Sequence, residues 1–85
     1  QWDRTRDLYT RLLQYRPDNP RLCRGRGKAH MKLELWQEAI EDLDEAIRLA
    51  PENPGLYKEL ALALIASQQW EEAARCFERL VDLQP

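Results

Sequence analysis

Apolar residues recur along this chain at helical rather than strand spacing. Trp36, Ala39, Ile40, Leu43, Ala46 and Ile47 step by short helical intervals, and Trp70, Ala73, Ala74, Phe77, Leu80 and Val81 repeat the pattern. Such spacing gathers apolar side chains on one face of an amphipathic helix. No segment alternates apolar and polar positions as a half-buried strand would. Asn19-Pro20 and Asn53-Pro54 read as helix starts, an Asn cap followed by proline at the first helical position, where its missing N–H costs nothing. Pro51 and Pro85 follow the apolar runs and stop them. The expected helices run from about Pro20 to Leu33, Leu35 to Leu49, Pro54 to Ser67 and Gln69 to Leu83. Residues 1–16 read as a further helix without its partner. The short gaps force antiparallel neighbours.

The pattern is periodic. Trp2, Trp36 and Trp70 lie 34 residues apart, as do Pro17, Pro51 and Pro85. The same interval separates Asn19 from Asn53, Leu22 from Leu56, Ala29 from Ala63, Ala39 from Ala73 and Leu49 from Leu83. Each period holds two helices, which divides the chain into the second helix of a partial repeat (1–19) and two full repeats (20–53 and 54–85). Tyr57-x2-Leu60-Ala61-x2-Leu64, then Ala73-x3-Phe77, then Pro85 resembles the tetratricopeptide repeat motif, and Cys23, Gly27, Ala39-x3-Leu43 and Pro51 occupy the matching places one period earlier. Thr5-x3-Tyr9 and Pro17 extend the likeness to the first helix. The resemblance covers the whole chain. It implies an all-α stack of antiparallel helix-turn-helix repeats, an α-solenoid of about five helices, serving as a protein–protein interaction scaffold rather than an enzyme.

Packing needs explain the repeated residues. Gly27, Ala39, Ala61 and Ala73 are small where two helices approach closely, and Leu43 and Phe77 are expected to fill the space this leaves. The three tryptophans are expected to pack where the chain enters each second helix. Two residues depart from the family pattern: Arg26 stands where Leu is usual and His30 where Tyr is usual. Arg26 is expected to run its methylenes along the surface and end in solvent. His30 reads as a packing residue, with no acid spaced to serve it as a base. Gly25 adds a second glycine to the same helix, beyond what the motif needs, at about 1 kcal/mol relative to Ala.

Composition narrows the function. The 85 residues are 44% hydrophobic and 33% charged, enough for a core shared between stacked helices. A net charge of −2 gives no footprint for nucleic acid. The longest apolar run, Leu60 to Ala66, is too short for membrane insertion. Cys23 and Cys76 form no CxxC pair and have no His at ligand spacing, so they read as unpaired thiols, with a lean towards a reducing, cytoplasmic setting. No catalytic or cofactor motif is present: no GxSxG, Walker loop or HExxH. Glu38, Glu41, Asp42 and Glu45 are expected on the solvated face of their helix.

Charge is unevenly distributed. Arg21, Arg24, Arg26, Lys28 and Lys32 fall in one stretch without an acid, and the stretch from Glu34 to Arg48 is mainly acidic. Arg21, Arg24, Lys28 and Lys32 share one helix face. In the family this resembles, the first helix of each repeat lines a concave groove. The resemblance therefore implies a partner-binding set of Arg21, Arg24, Lys28, Met31 and Lys32, flanked by Lys58, Leu62 and Ile65. The expected partner is a protein or peptide segment, acidic in character. Two other functions fit the sequence. One is assembly, because Leu8, Leu12, Phe77, Leu80 and Val81 would lie uncovered at the ends of an excerpt from a longer array. The other is a regulatory arm of a multidomain enzyme.

Overall fold

Asn19 and Asn53 do what their positions suggest. In the computed structural model, which describes residues 1–84, the Asn19 side chain accepts from the Arg21 N–H at 2.9 Å and the Asn53 side chain from the Gly55 N–H at 3.0 Å. Each opens a helix with proline in its first turn. Five helices follow one another: α1 (Trp2–Tyr15), α2 (Pro20–Lys32), α3 (Trp36–Leu49), α4 (Pro54–Ala66) and α5 (Trp70–Leu83). All ends lie within one residue of those expected, and no strand occurs among the described residues. Pro85, expected to stop α5, lies outside the described residues.

The turns inside each helix pair repeat as faithfully as the sequence does. Glu34 (φ 60°) and Gln68 (φ 65°) take the left-handed conformation just past α2 and α4. The Leu35 N–H then reaches back to the His30 carbonyl and the Gln69 N–H to the Leu64 carbonyl, both at 2.8 Å. Glu34 and Gln68 donate to Met31 and Ile65. These are the paired closing bonds of a Schellman motif, which satisfy the last carbonyls of the helix. Neither turn uses glycine, so each carries the side-chain strain of a left-handed residue, about 1 kcal/mol.

Consecutive helices pack against one another down the stack. The shared core contains Cys23, Ile40, Leu43, Ala46, Leu56, Leu60, Ala61, Leu64, Ala73 and Cys76. Leu43 and Leu56 are its largest fully buried side chains. Gly27 lets α2 approach α3: a Cβ there would lie 3.2 Å from Leu43 Cγ. Ala39, Ala61 and Ala73 are buried at the other close approaches. Phe77 departs from expectation. It is 43% exposed, because α5 packs against α4 alone and nothing among the described residues lies over its outer face. The tryptophans divide for the same reason. Trp36, in the middle of the stack, packs on the core; Trp2 and Trp70, on the two end helices, are exposed.

The acidic face of α3 also differs from expectation. Asp42 is buried beside Leu43 rather than solvated with Glu38 and Glu41. Its carboxylate accepts from Arg26 Nη2 at 2.8 Å and from Arg26 Nε at 3.1 and 3.2 Å. His30 Nδ1 lies 2.8 Å from its other oxygen. Arg26 Nη1 donates onward to Thr10 Oγ1 at 3.3 Å. Arg26 therefore does not end in solvent: its guanidinium ties α2 to α3 and to α1. His30 is a buried, hydrogen-bonded packing residue, as expected, but an acid does serve it.

Removing one partner of a buried ion pair leaves the other uncompensated and costs about 3 kcal/mol or more. Asp42→Ala is therefore expected to lower the unfolding free energy by about 3 kcal/mol, whereas Glu41→Ala, on the exposed side of the same helix, should change it by less than about 0.5 kcal/mol. Urea denaturation followed by far-UV circular dichroism measures both.

Candidate functional site

The helices α2 and α4 carry equivalent positions of successive repeats, and their side chains meet. Arg24 on α2 donates from Nε and Nη2 to the two oxygens of Glu59 on α4, both at 2.8 Å. Lys28 Nζ, one turn further along α2, lies 3.4 Å from the same carboxylate. A two-pronged pair of this kind is strong and geometrically specific. Glu59 hydrogen bonds hold the Arg24 guanidinium more firmly protonated than usual, against a smaller opposing effect of burial.

Beside this pair opens a recess of about 570 Å³, walled by α1, α2 and α4. Lys28, Met31, Lys32 and Leu62 of the expected set line it together. Lys28 and Lys32 are exposed, Met31 is half-buried and Leu62 is half exposed. The Lys32 ammonium sits 5.9 Å from the centroid of the Trp2 ring, in cation–π range. Four expected residues lie elsewhere. Arg24 is half-buried and occupied by Glu59. Arg21 is exposed at the turn between α1 and α2. Lys58 is exposed but does not line the recess, and Ile65 packs against the core.

Sequence reasoning missed Trp2, Thr5, Tyr9, Gly25 and Glu59, which complete the lining. The omission of Glu59 changes the electrostatics, since the basic stretch of α2 is partly neutralised from the next repeat. A signal for it exists. Arg24 and Glu59 are opposite charges 35 residues apart, one more than the period, which is the offset between neighbouring positions on successive first helices.

No group of acidic, His and Cys side chains suited to a metal ion occurs among the described residues. No described helix is long and apolar enough to cross a membrane. Both cysteines are buried and unpaired. Burial pushes the Cys23 thiol up, and the nearby Asp42 and Glu45 charges add to the effect. Burial does the same at Cys76, helped by Asp44 and Glu72. Only the thiolate reacts with alkylating agents. In the folded chain at about pH 8, a thiol-reactive dye should label either cysteine at least about tenfold more slowly than in denaturing urea, measured by mass spectrometry of timed samples.

Comparison with known proteins bears on the fold. One sequence model described as tetratricopeptide repeat (TPR) matches residues 1–54, and a second with the same description matches residues 35–85. Among curated proteins, no sequence matches significantly. Several solved structures match. The first TPR of Spaghetti (RPAP3) bound to the HSP90 peptide SRMEEVD has a TM-score of 0.92 and 31% identity, covering 99% of this chain and 67% of that one. The second TPR of Spaghetti, bound to the same peptide, has a TM-score of 0.90 and 25% identity, covering 98% and 77%. The complex of the TPR2B domain of yeast Sti1 with pHsp70 has a TM-score of 0.91 and 27% identity, covering 96% of this chain and 66% of that one.

Proposed function

This chain belongs to the tetratricopeptide repeat family, and on that premise we propose that it binds an acidic segment of a partner protein in the groove formed by α2 and α4. A protein-interaction scaffold is the role the family supports at the coarse level. The finer reading rests chiefly on one observation. Lys28 and Lys32 converge on a recess with an apolar lining in which Glu59 supplies the only carboxylate. Arg21 and Lys58 add positive charge on the same two helices. The solved relatives agree in kind: the peptide SRMEEVD, bound by both Spaghetti domains, carries three acidic residues.

Glu59 decides which cations carry the attraction. Arg24 is engaged by it through Nε and Nη2, so Lys28 and Lys32 are the groups most open to a partner carboxylate, with Lys28 shared. Such exposed cations act through charge-assisted bonds and steering, both weakened by salt. A double reversal, Lys28→Glu with Lys32→Glu, is expected to weaken binding of a synthetic Asp/Glu-rich peptide by about tenfold and to flatten its salt dependence. Glu59→Gln should do the opposite, because it releases Arg24 and Lys28. Isothermal titration at two salt concentrations reads both. Unchanged affinity and salt dependence in the double reversal would falsify the groove reading.

A second reading, assembly through the end helices, is favoured by the exposure of Leu8 (56%) and Leu12 on α1 and of Phe77 and Val81 (68%) on α5. An apolar face of that kind tends to seek cover. The expected result is a light-scattering mass that rises above the monomer with concentration and is unaffected by the lysine reversals. A monomer mass at every concentration counts against assembly.

A further inference from the structure

The exposed apolar stripes of the two end helices are bordered by charges of opposite sign. On α1, Leu8 and Leu12 lie one turn apart, and the exposed Tyr15 continues the same stripe. Arg4 stands one turn before Leu8 and Arg11 one turn before Tyr15, both exposed, so the two arginines edge the stripe. Neither enters an ion pair among the described residues. The acids of α1 do not offset them. Asp7 is paired with Arg6 at 3.1 Å, and Asp3, off the stripe, accepts from the Arg4 backbone N–H.

On α5, Trp70, Ala74, Phe77 and Val81 form the corresponding stripe, all of them exposed. Glu71, Glu78 and Asp82 edge it, exposed and without an ion pair among the described residues. Arg75 and Arg79 lie further round the helix. The spacings match as well as the signs. Trp70, Ala74 and Phe77 repeat the steps of Leu8, Leu12 and Tyr15, and Glu71 and Glu78 are as far apart in sequence as Arg4 and Arg11. That separation is about 10.5 Å along a helix axis. Turning in one sense about each axis, the arginines precede the stripe of α1 and the acids follow the stripe of α5. Facing helices bring two such flanks to the same side when they run in the same direction. Successive helices of the stack alternate in direction, so α1 and α5 point alike, and a copy added end to end in the same sense presents its α1 parallel to α5.

We propose that the outer face of α5 docks the outer face of α1 of a second copy of this chain, head to tail. The inference rests on the assembly reading above and adds which faces meet. The two apolar stripes cover one another, with Arg4 opposite Glu71 and Arg11 opposite Glu78. Pairing of like faces is disfavoured: two α1 faces would set four arginines together, and two α5 faces six acids. A contact between unlike faces is heterologous. Each added copy leaves one α1 face and one α5 face open, so assembly continues past the dimer unless it closes into a ring.

Two variants, each blocked on one face, test it by light scattering. Leu8→Asp and Val81→Asp each place a short charged side chain within one stripe, at positions more than half exposed in the folded chain. The unaltered chain should show a mass that rises past the dimer with concentration, and each variant alone should remain a monomer. Mixed in equal amounts, the two variants should give a dimer and nothing larger, because only one intact α1 face can meet one intact α5 face. A mixture that stays monomeric overturns the proposal. So does self-association of either variant alone, which marks pairing of like faces. If the unaltered chain is a monomer at every concentration, the assembly reading falls together with it. A charge swap gives a second measure that leaves both stripes intact. Arg4→Glu with Arg11→Glu should weaken association about tenfold, and mixing with a chain carrying Glu71→Arg and Glu78→Arg should restore it. No loss in the first, or no recovery in the mixture, counts against the proposal. Far-UV circular dichroism checks that every variant is folded.

Discussion

A carboxylate buried in a small helical stack must be paired, and Asp42 organises three helices by that need. Its own helix is α3; Arg26 and His30 come from α2, and Arg26 reaches Thr10 on α1. Solvation lost by the charge has to be replaced by donors at close range. The donors can come only from side chains placed where the repeat elsewhere puts apolar ones. One period on, Arg26, His30 and Asp42 correspond to Leu60, Leu64 and Cys76, all of them buried. The same structural corner is thus built once from a polar triad and once from an apolar trio. A buried ion pair adds little net stability over such a trio. It does penalise mispairing, because sliding α3 against the wrong first helix would set Asp42 against leucines with no donor.

The architecture was legible because it is periodic. Caps, prolines and apolar steps recur at 34 residues, and each of these acts locally, so helix ends could be placed to within one residue. Non-local pairing was not legible in the same way. Arg26 reads as a surface arginine until α3 places Asp42 opposite it, and Asp42 reads as one acid among several until α2 covers it. Both stand where the next repeat is apolar, which is the trace that sequence alone left of their burial. Phe77 and Trp70 matched their motif positions, yet their exposure depends on whether another helix lies beyond α5, and position in the repeat cannot reveal that.

The groove teaches a related lesson. A count of cations along α2 gives a strongly basic face, but charge along one helix is not the field at a surface to which two helices contribute. Glu59 removes Arg24 from the set of free cations and shares Lys28, moving the positive potential towards Lys32 and Trp2. Likewise Gly25 looks like a flaw of helix propensity and becomes intelligible only against the Tyr9 ring. In both cases the informative residue sits where two repeats differ. The shared positions build the helical stack, and the unshared ones distinguish the surface of one repeat from that of the next.

Stacks of repeats are ordinarily held by contacts between immediate neighbours in the chain. Here consecutive helices do most of the packing, yet the Arg24–Glu59 bridge skips over α3 to join α2 directly to α4. It is a charged strut between two helices that are not neighbours in the chain. The contact between α2 and α4 is therefore made in part by charge. Salt screens partly exposed charges, so the share of the α2–α4 contact that this bridge supplies weakens as ionic strength rises.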